Sequence, residues 1–184
     1  ANPLHAAENT YKIANGEMLK AWLINTDSLQ TDNPNAELIN NVTIDWGNTC
    51  APNESIIMAG STLNGGNYTI TIAGANATIG QDTKQSNFSA FSRWCDGVVE
   101  NVNFVTGGDI TFSIDNTSAR DNSDIYTGFV FSEINGGKIK NCSVEVKHNI
   151  SYITPSVAFG GGSGDHFGIL AGTIRAGAVV EFVK

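Results

Sequence analysis

Apolar residues recur at a fixed interval through the second half of the chain. Segments that begin at Phe88, Gly128 and Gly168 align without a gap, each 40 residues after the one before. Each segment has two short alternating stretches with a glycine between them, which predicts two strands joined at a turn. The aligned columns are Ala90/Val130/Leu170, Trp94/Ile134/Ile174, Val99/Ile139/Val179, Val102/Cys142/Phe182 and the glycines Gly97/Gly137/Gly177. One such unit cannot bury its apolar face alone, so stacked units are expected to supply the core.

Two polar columns add detail to this repeat. The glycine column is expected at a tight corner that requires a positive φ. Asn101 and Asn141 also coincide, with Glu181 in their place in the third copy. Stacked amides can bond to one another, so this column predicts a side-chain ladder at a second corner. The ladder is an alternative to glycosylation for Asn141, which also lies in an N-x-S/T sequon.

Strands and one helix are predicted before and between the copies. Alternation predicts strands in 42–46, 61–72 and 109–114, and polar or glycine-rich loops in 107–127 and 149–167. Asn15 is a good helix N-cap, and Glu17 is favourable in the first turn. The predicted apolar face of this helix comprises Met18, Leu19, Trp22 and Leu23. The prediction is one β-solenoid domain over 1–184, with an N-terminal arm (1–14), a capping helix (15–29), first coils (42–87) and three copies (88–184), the last incomplete.

The order of these motifs resembles a known superfamily. The sequences LNGGNYTITI and GFVFSEINGGKIKNCSV look like right-handed parallel β-helix proteins, which include pectin lyases. They are more closely similar to the GLUG-type repeats of bacterial surface proteins and adhesins. The resemblance covers roughly 56–184 and implies an all-β, right-handed parallel β-helix. It implies less about function, because this fold carries both enzymes and inert stalks.

Composition excludes several classes of protein. Hydrophobic residues make up 41% of the chain and charged residues 15%, which is unlike a disordered chain. The net charge of −8 disfavours binding to nucleic acid or to anionic lipid. No apolar run approaches the roughly 18 residues of a membrane span. No signal peptide is present, so Ala1 is interpreted as a mature end left by processing.

Sequons and cysteines bear on the compartment. Eight N-x-S/T sequons suggest a secreted or cell-surface glycoprotein, although an Asn- and Thr-rich solenoid can also generate sequons by composition. Besides Asn141, the glycosylation candidates are Asn41, Asn53, Asn67, Asn76, Asn87, Asn116 and Asn149. Cys50 and Cys95 are candidates for a disulfide between adjacent coils. Cys142 lies in an apolar column and is expected to be a buried thiol.

Candidate chemistry is sparse. Arg93 and Asp96 are expected to form a solvated pair at a corner, and Asp165 and His166 to lie in a loop. The spacing around Asp121 and Asp124 matches no known calcium loop, and the histidines lack metal-ligand spacing. The sequence therefore predicts no catalytic residue, no metal and no cofactor apart from N-linked glycans. Trp22, Trp46 and Trp94 could stack on sugars, but their apolar pattern positions favour packing in the core or cap.

Two functions remain from these observations. The first is an extracellular structural or adhesive protein, such as a self-assembling filament or appendage subunit or an adhesin fragment. It would associate head to tail or with further coils, because the third copy ends at Lys184 without a cap. The alternative is a polysaccharide-acting enzyme or carbohydrate-binding module of the β-helix type, with a glycan ligand. A row of Asp and Arg residues, or of exposed aromatics, on one face would favour this alternative.

Overall fold

The protein is mostly β, with parallel sheets. The computed structural model describes residues 10–24, 35–79, 87–114, 124–153 and 164–184. These ranges contain twenty strands and one helix, and every strand pairing within them is parallel. The predicted β class is confirmed at this level.

The strands are short, as expected for a chain rich in glycine and asparagine. The early elements are β1 (Tyr11–Ile13), α1 (Gly16–Ile24), β2 (Ala36–Leu38), β3 (Val42–Ile44), β4 (Ile56–Ile57), β5 (Thr62–Asn64), β6 (Thr69–Ile72), β7 (Ala75–Ile79), β8 (Asn87–Ser89) and β9 (Ser92–Cys95). The later strands are β10 (Val98–Glu100), β11 (Asn103–Thr106), β12 (Ile110–Ile114), β13 (Ile125–Gly128), β14 (Phe131–Ile134), β15 (Lys138–Lys140), β16 (Ser143–Glu145), β17 (Ile150–Ile153), β18 (Asp165–Gly168), β19 (Ala171–Ile174) and β20 (Val179–Glu181).

The strands form five sheets within the described residues. Sheet 1 has the order β1-β2-β5-β10-β15-β20, sheet 2 β16-β11-β6-β3, sheet 3 β17-β12-β7, sheet 4 β18-β13-β8 and sheet 5 β19-β14-β9-β4. From β5 onward the chain visits sheets 1 to 5 in this order three times, and β20 then returns to sheet 1. We call one such visit to sheets 1 to 5 a pass. Each strand therefore pairs with the strand at the same place in the pass before it.

Alternating apolar side chains supply the core. Leu63, Val99 and Ile139 are fully buried and adjacent in sheet 1, and Ile70 and Phe104 are similarly paired in sheet 2. The rings of Phe91, Phe104 and Phe131 meet with centroids 5.0 to 6.4 Å apart. Strands from different sheets thus share one apolar interior, as stacking of the repeat requires.

Within the three predicted copies, the strand register departs from 40 residues twice. Each of the strands β10 to β14 pairs with a strand whose residues lie 40 positions later in the chain, as Val99 does with Ile139. One pass earlier, Trp94 pairs with Glu133, 39 residues on, and Cys95 pairs with Ile134. The prediction that Trp94 shares a buried column with Ile134 is therefore wrong. The corner between β14 and β15 holds one residue more than the corner between β9 and β10. This additional residue restores the spacing.

The last pass carries a second shift. Val180, rather than Val179, pairs with Ile139, because the corner before β20 holds one additional residue. Val183 consequently packs against the core, whereas Phe182 is 78% exposed and has a φ of 53°. The prediction that Val179 and Phe182 continue the apolar columns is wrong at both positions.

The glycine column has two different physical causes. Gly177 has a φ of 90°, as predicted for a corner. Gly97 and Gly137 do not have positive φ, so the prediction is wrong for them. A Cβ at Gly97 would lie 2.4 Å from the carbonyl oxygen of Met58, and one at Gly137 would lie 2.6 Å from that of Cys95. These two glycines permit close approach of the preceding pass.

Helix α1 packs over the first strands. Its N-cap is formed as predicted, since the amide of Met18 donates to Asn15 Oδ1 at 2.9 Å. Leu19, Trp22 and Leu23 are buried, and the helix contacts β1, β3 and β4. The described helix runs from residue 16 to residue 24. Residues 25–29 of the predicted capping helix and residues 1–9 of the predicted arm lie outside the described ranges.

The three cysteines are free thiols. Cys95 is fully buried in the core beside Ile57 and Ile134, whereas Cys50 packs against Phe88 and Ile125. The predicted Cys50–Cys95 disulfide is not formed in this structure, in which Cys50 packs both against the main core that contains Cys95 and against the smaller cluster of Phe88 and Ile125. Burial raises the pKa of Cys50 to about 12 and also raises the pKa values of Cys95 and Cys142. Cys142 is buried, as expected.

Candidate functional site

Sheets 4 and 5 meet at a very tight turn. Only Phe129 and Val130 separate β13 from β14, and both are fully buried. A Cβ on Gly128 would lie 1.7 Å from the carbonyl oxygen of Phe131, so only glycine fits there. Across the turn, Ser132 Oγ donates to the carbonyl oxygen of Tyr126 at 2.8 Å. The turn thereby brings polar side chains of the two sheets together.

An ion pair joins successive strands at this turn. Glu133 of β14 is only 5% exposed, and Arg175, which follows β19, donates from Nε to its Oε2 at 2.6 Å. The same guanidinium lies 5.2 Å from the ring centroid of Tyr126. The bond to Glu133 raises the pKa of Arg175. Arg175 thus links the outer surface of sheet 5 to that of sheet 4 through one hydrogen bond and one cation–π contact.

A second set of contacts lies on sheet 4. The Tyr126 ring stacks on His166, with centroids 4.9 Å apart and an interplanar angle of 19°. The Tyr126 hydroxyl donates to Asp124 Oδ2 at 3.1 Å, and His166 Nε2 lies 3.8 Å from the same oxygen. The amide of Gly164 donates to Asp124 Oδ1 at 2.8 Å. The hydrogen bonds from the Gly164 amide and from the Tyr126 hydroxyl lower the pKa of Asp124.

A third set surrounds Trp94 on β9. The Arg93 guanidinium lies 4.0 Å from the Trp94 ring centroid, and its Nη1 donates to the carbonyl oxygen of Asn53 at 3.3 Å. Burial lowers the pKa of Arg93, and the nearby carboxylate of Glu133 opposes that change. Burial also raises the pKa of Asp96; a hydrogen bond from the Asn135 side chain to this carboxylate opposes the change, and the Glu133 charge adds to it. Glu133 is therefore electrostatically coupled to residues on both neighbouring passes.

Several polar atoms around this turn are buried without a hydrogen-bond partner. They include Asn87 Oδ1, Arg93 Nε, Trp94 Nε1 and Asp96 Oδ1. Asn87 is 7% exposed and pairs in register with Tyr126. Buried polar groups are satisfied in most proteins, so the three such atoms of Arg93, Trp94 and Asp96, which lie on or directly after strand β9, require an explanation. We call the whole group the sheet 4–5 cluster: Asn87, Arg93, Trp94, Asp96, Asp124, Tyr126, Glu133, His166 and Arg175.

The cluster offers binding groups more clearly than catalytic ones. It combines aromatic rings, two guanidinium groups and three carboxylates, which can donate and accept hydrogen bonds around a polar ligand. Glu133 is already engaged by Arg175, so a free pair of opposed carboxylates is not formed around it. Within the described ranges, no group of three or more His, Cys, Asp or Glu residues is arranged to hold a metal ion.

The sequence predicts some of these residues singly and not as a group. Arg93 and Asp96 are predicted to form a corner pair and His166 to lie in a loop, whereas His166 lies on β18. Tyr126, Glu133 and Arg175 were not proposed at all. The proximity of Glu133 to Trp94 depends on the 39-residue register of β9 with β14, which a gap-free alignment of the sequence does not reveal. Asp121 lies outside the described residues.

The glycosylation candidates differ in exposure. Asn41, Asn67, Asn76 and Asn149 are exposed, and Asn53 is half-buried. Asn87 is buried, so a glycan there would require this side chain to leave its packed position. Asn116 lies outside the described residues. The exposed candidates lie on or just before strands of sheets 2 and 3, away from the sheet 4–5 cluster.

The asparagine column forms a chain of amide hydrogen bonds. Asn141 Nδ2 donates to Asn101 Oδ1 at 2.7 Å, and Asn101 Nδ2 donates to Asn64 Oδ1 at 3.2 Å. Asn101 and Asn141 have left-handed φ values of 57° and 51°. The predicted ladder is therefore present, and it reaches one pass further back than the sequence indicated. Because Asn141 Nδ2 is bonded, a glycan at this nitrogen would compete with the ladder.

Comparison of the chain with protein-family models, with curated proteins and with solved structures found no match. The helix α1, the one helix in the described part of the chain, is too short to cross a membrane, and no membrane-spanning helix is found there. The geometry of the cluster and the strand order are therefore the features that bear on function.

Proposed function

We propose that this chain is an extracellular structural or adhesive protein built as a right-handed parallel β-helix. The supporting observation is the cyclic strand order, in which three consecutive passes visit the same five sheets. A body of this kind is extended along one axis and can hold a surface away from its point of attachment. The resemblance to GLUG-type repeats of surface proteins agrees with this proposal.

Two further observations support an extracellular location. Five sequon asparagines are exposed, which is the requirement for carrying a glycan: Asn41, Asn67, Asn76, Asn141 and Asn149. They occur on or beside two neighbouring sheets, so glycans could cover one side of the stack and leave another free.

The last pass provides a surface for association. Strands β16 to β20 each have a partner on one side only among the described residues. Ile174, Val180 and Phe182 are exposed there, at 51%, 38% and 78%. We propose that this edge pairs with further β-strands, from the same protein or from a second copy. Since α1 packs over the first strands, head-to-tail contact would have to be made through the helix side.

Association is tested by placing a charge on the edge. We expect negative-stain electron microscopy and sedimentation velocity to show concentration-dependent assembly of the undenatured chain. Val180→Lys should weaken it by about tenfold or more, because the edge would carry a buried, unpaired charge. Thr111→Lys, on the internal strand β12, is the matched control and should associate normally. Discrete monomers at all concentrations would refute self-assembly and leave the adhesive role alone.

A second candidate function is favoured by the sheet 4–5 cluster. A row of charged and aromatic side chains on one face is the arrangement expected of a polysaccharide-acting enzyme or a carbohydrate-binding module. The engagement of Glu133 by Arg175 favours the binding module over the enzyme. Incubation with polysaccharides, followed by measurement of reducing ends, separates the two, because only an enzyme releases new ends.

A further inference from the structure

We propose that the sheet 4–5 cluster binds a neutral saccharide, with two adjacent hydroxyls of one sugar held beside Trp94. This inference rests on the proposed adhesive function and deepens it by naming the class of ligand. It goes beyond the fold, because the residues of the cluster come from five strands and from the positions directly beside strands, in three passes, rather than from the repeat pattern.

The unpartnered atoms define what the ligand must offer. Arg93 Nε and Trp94 Nε1 are donors without an acceptor, and Asp96 Oδ1 is an acceptor without a donor. A hydroxyl both donates and accepts, so a pair of neighbouring hydroxyls can serve both kinds at once. A phosphate or carboxylate ligand would satisfy the donors only. A purely apolar ligand would satisfy none of them.

Access to the face of the Trp94 ring requires displacement of the Arg93 guanidinium. The unpartnered atoms are covered, but Arg93 and Trp94 are themselves partly exposed. The guanidinium of Arg93 lies over the indole ring and hides its face. A sugar that displaces this guanidinium would stack its C–H groups on the indole, and the released side chain could donate to a hydroxyl. Binding should therefore change the environment of Trp94.

The charges of the cluster favour a neutral ligand over an acidic one. Asp96, Asp124 and Glu133 supply three carboxylates against two arginines, and Arg175 is already paired with Glu133. Arg93 faces Glu133 as well. The chain as a whole carries a net charge of −8, which repels anionic sugars at longer range.

The distribution of sequons leaves this face open. The exposed sequon asparagines lie on or before strands of sheets 2 and 3, whereas the cluster belongs to sheets 4 and 5. Asn53 is the exception, because its carbonyl accepts from Arg93. Its side chain is half-buried. A glycan on Asn53 would lie beside the site, so the protein is best tested with and without N-glycans.

The test uses the full chain on an array of neutral and acidic oligosaccharides, followed by calorimetry and tryptophan fluorescence with the neutral sugars that bind. Trp94→Phe keeps an aromatic ring but removes the N–H, and Asp96→Asn replaces the carboxylate acceptor. Each is expected to weaken binding by about tenfold. Trp94→Phe should also abolish the fluorescence change. Glu145→Gln, which removes the same charge on β16, is the control and should bind as the parent does.

Folding of the variants is checked by circular dichroism. Because the folded-state pKa of Asp96 is raised, its ionisation opposes folding, and Asp96→Asn should not lower the melting temperature at neutral pH. Absence of binding to neutral saccharides at millimolar concentration would overturn the inference. So would binding only to acidic sugars, or binding unaffected by both variants. If association in sedimentation persists while saccharide binding fails, the structural function stands and the saccharide site does not.

Discussion

Asparagine takes on a backbone role in this chain that glycine more often has. Asn67, Asn101 and Asn141 all have φ between 51° and 66°, where an ordinary Cβ is strained. Their side chains or neighbouring amides then bond between passes, as in the contact of Asn67 N with the carbonyl oxygen of Asn101 at 2.8 Å. The same residue type thus permits the turn and joins one pass to the next.

Two substitutions at Asn101 separate these contributions. Asn101→Gly keeps the left-handed backbone and loses the amide ladder, so it should cost about 0.5–1.5 kcal/mol of unfolding free energy per lost hydrogen bond. Asn101→Ala loses the ladder and also strains the backbone, which adds roughly 1 kcal/mol. Urea unfolding should therefore give the highest free energy of unfolding for the parent, a lower value for Asn101→Gly and the lowest for Asn101→Ala. Equal stability of the two variants would show that backbone strain is unimportant here.

At the scale of the element, helix α1 is the one part of the described chain with a different periodicity. Its N-cap and its buried face could be predicted, because capping chemistry and the 3.6-residue period are local properties. What it covers could not be predicted, because the contacts with β1, β3 and β4 depend on where the later strands fold back.

The helix is expected to contribute mainly through its buried face. Trp22 is 1% exposed, and Trp22→Ala should cost about 3–5 kcal/mol through the cavity that it leaves. Asn15→Ala should cost only about 1 kcal/mol, because it removes a single cap bond. Thermal or urea unfolding gives both values. Comparable small losses for both variants would mean that the helix is only loosely attached.

At the scale of the whole molecule, the sequence predicted the parallel β architecture better than the cluster. The columns of Val99 with Ile139 and of Val102 with Cys142 depend on a spacing that is readable in the chain. The cluster depends on single-residue shifts at corners, and an alignment without gaps conceals them. Trp94 illustrates this, since one residue of register moves it from a core column to the neighbourhood of Glu133.

The backbone amide hydrogens of different strands should exchange with solvent at different rates. Strands β11 and β12 have partners on both sides, so their amides should exchange most slowly. Strands β16 and β17 have one partner each in the described residues and should exchange faster. Strand β3 also has one partner but is packed by α1, so it should be protected more than β16. Hydrogen exchange with mass spectrometry measures all four, and equal rates for β3 and β16 would contradict a covering role of the helix.

The narrow range of sequence separations between paired strands has a consequence for how the chain acquires its structure. Each new strand pairs with residues 25 to 41 positions earlier in the chain, so the entropy of closing each loop changes little as further strands are added. Folding can therefore proceed in the direction of synthesis, from the helix-covered strands onward, without waiting for the last residues. A chain that emerges N-terminus first from a ribosome or a secretion channel would not have to remain unfolded until it is complete.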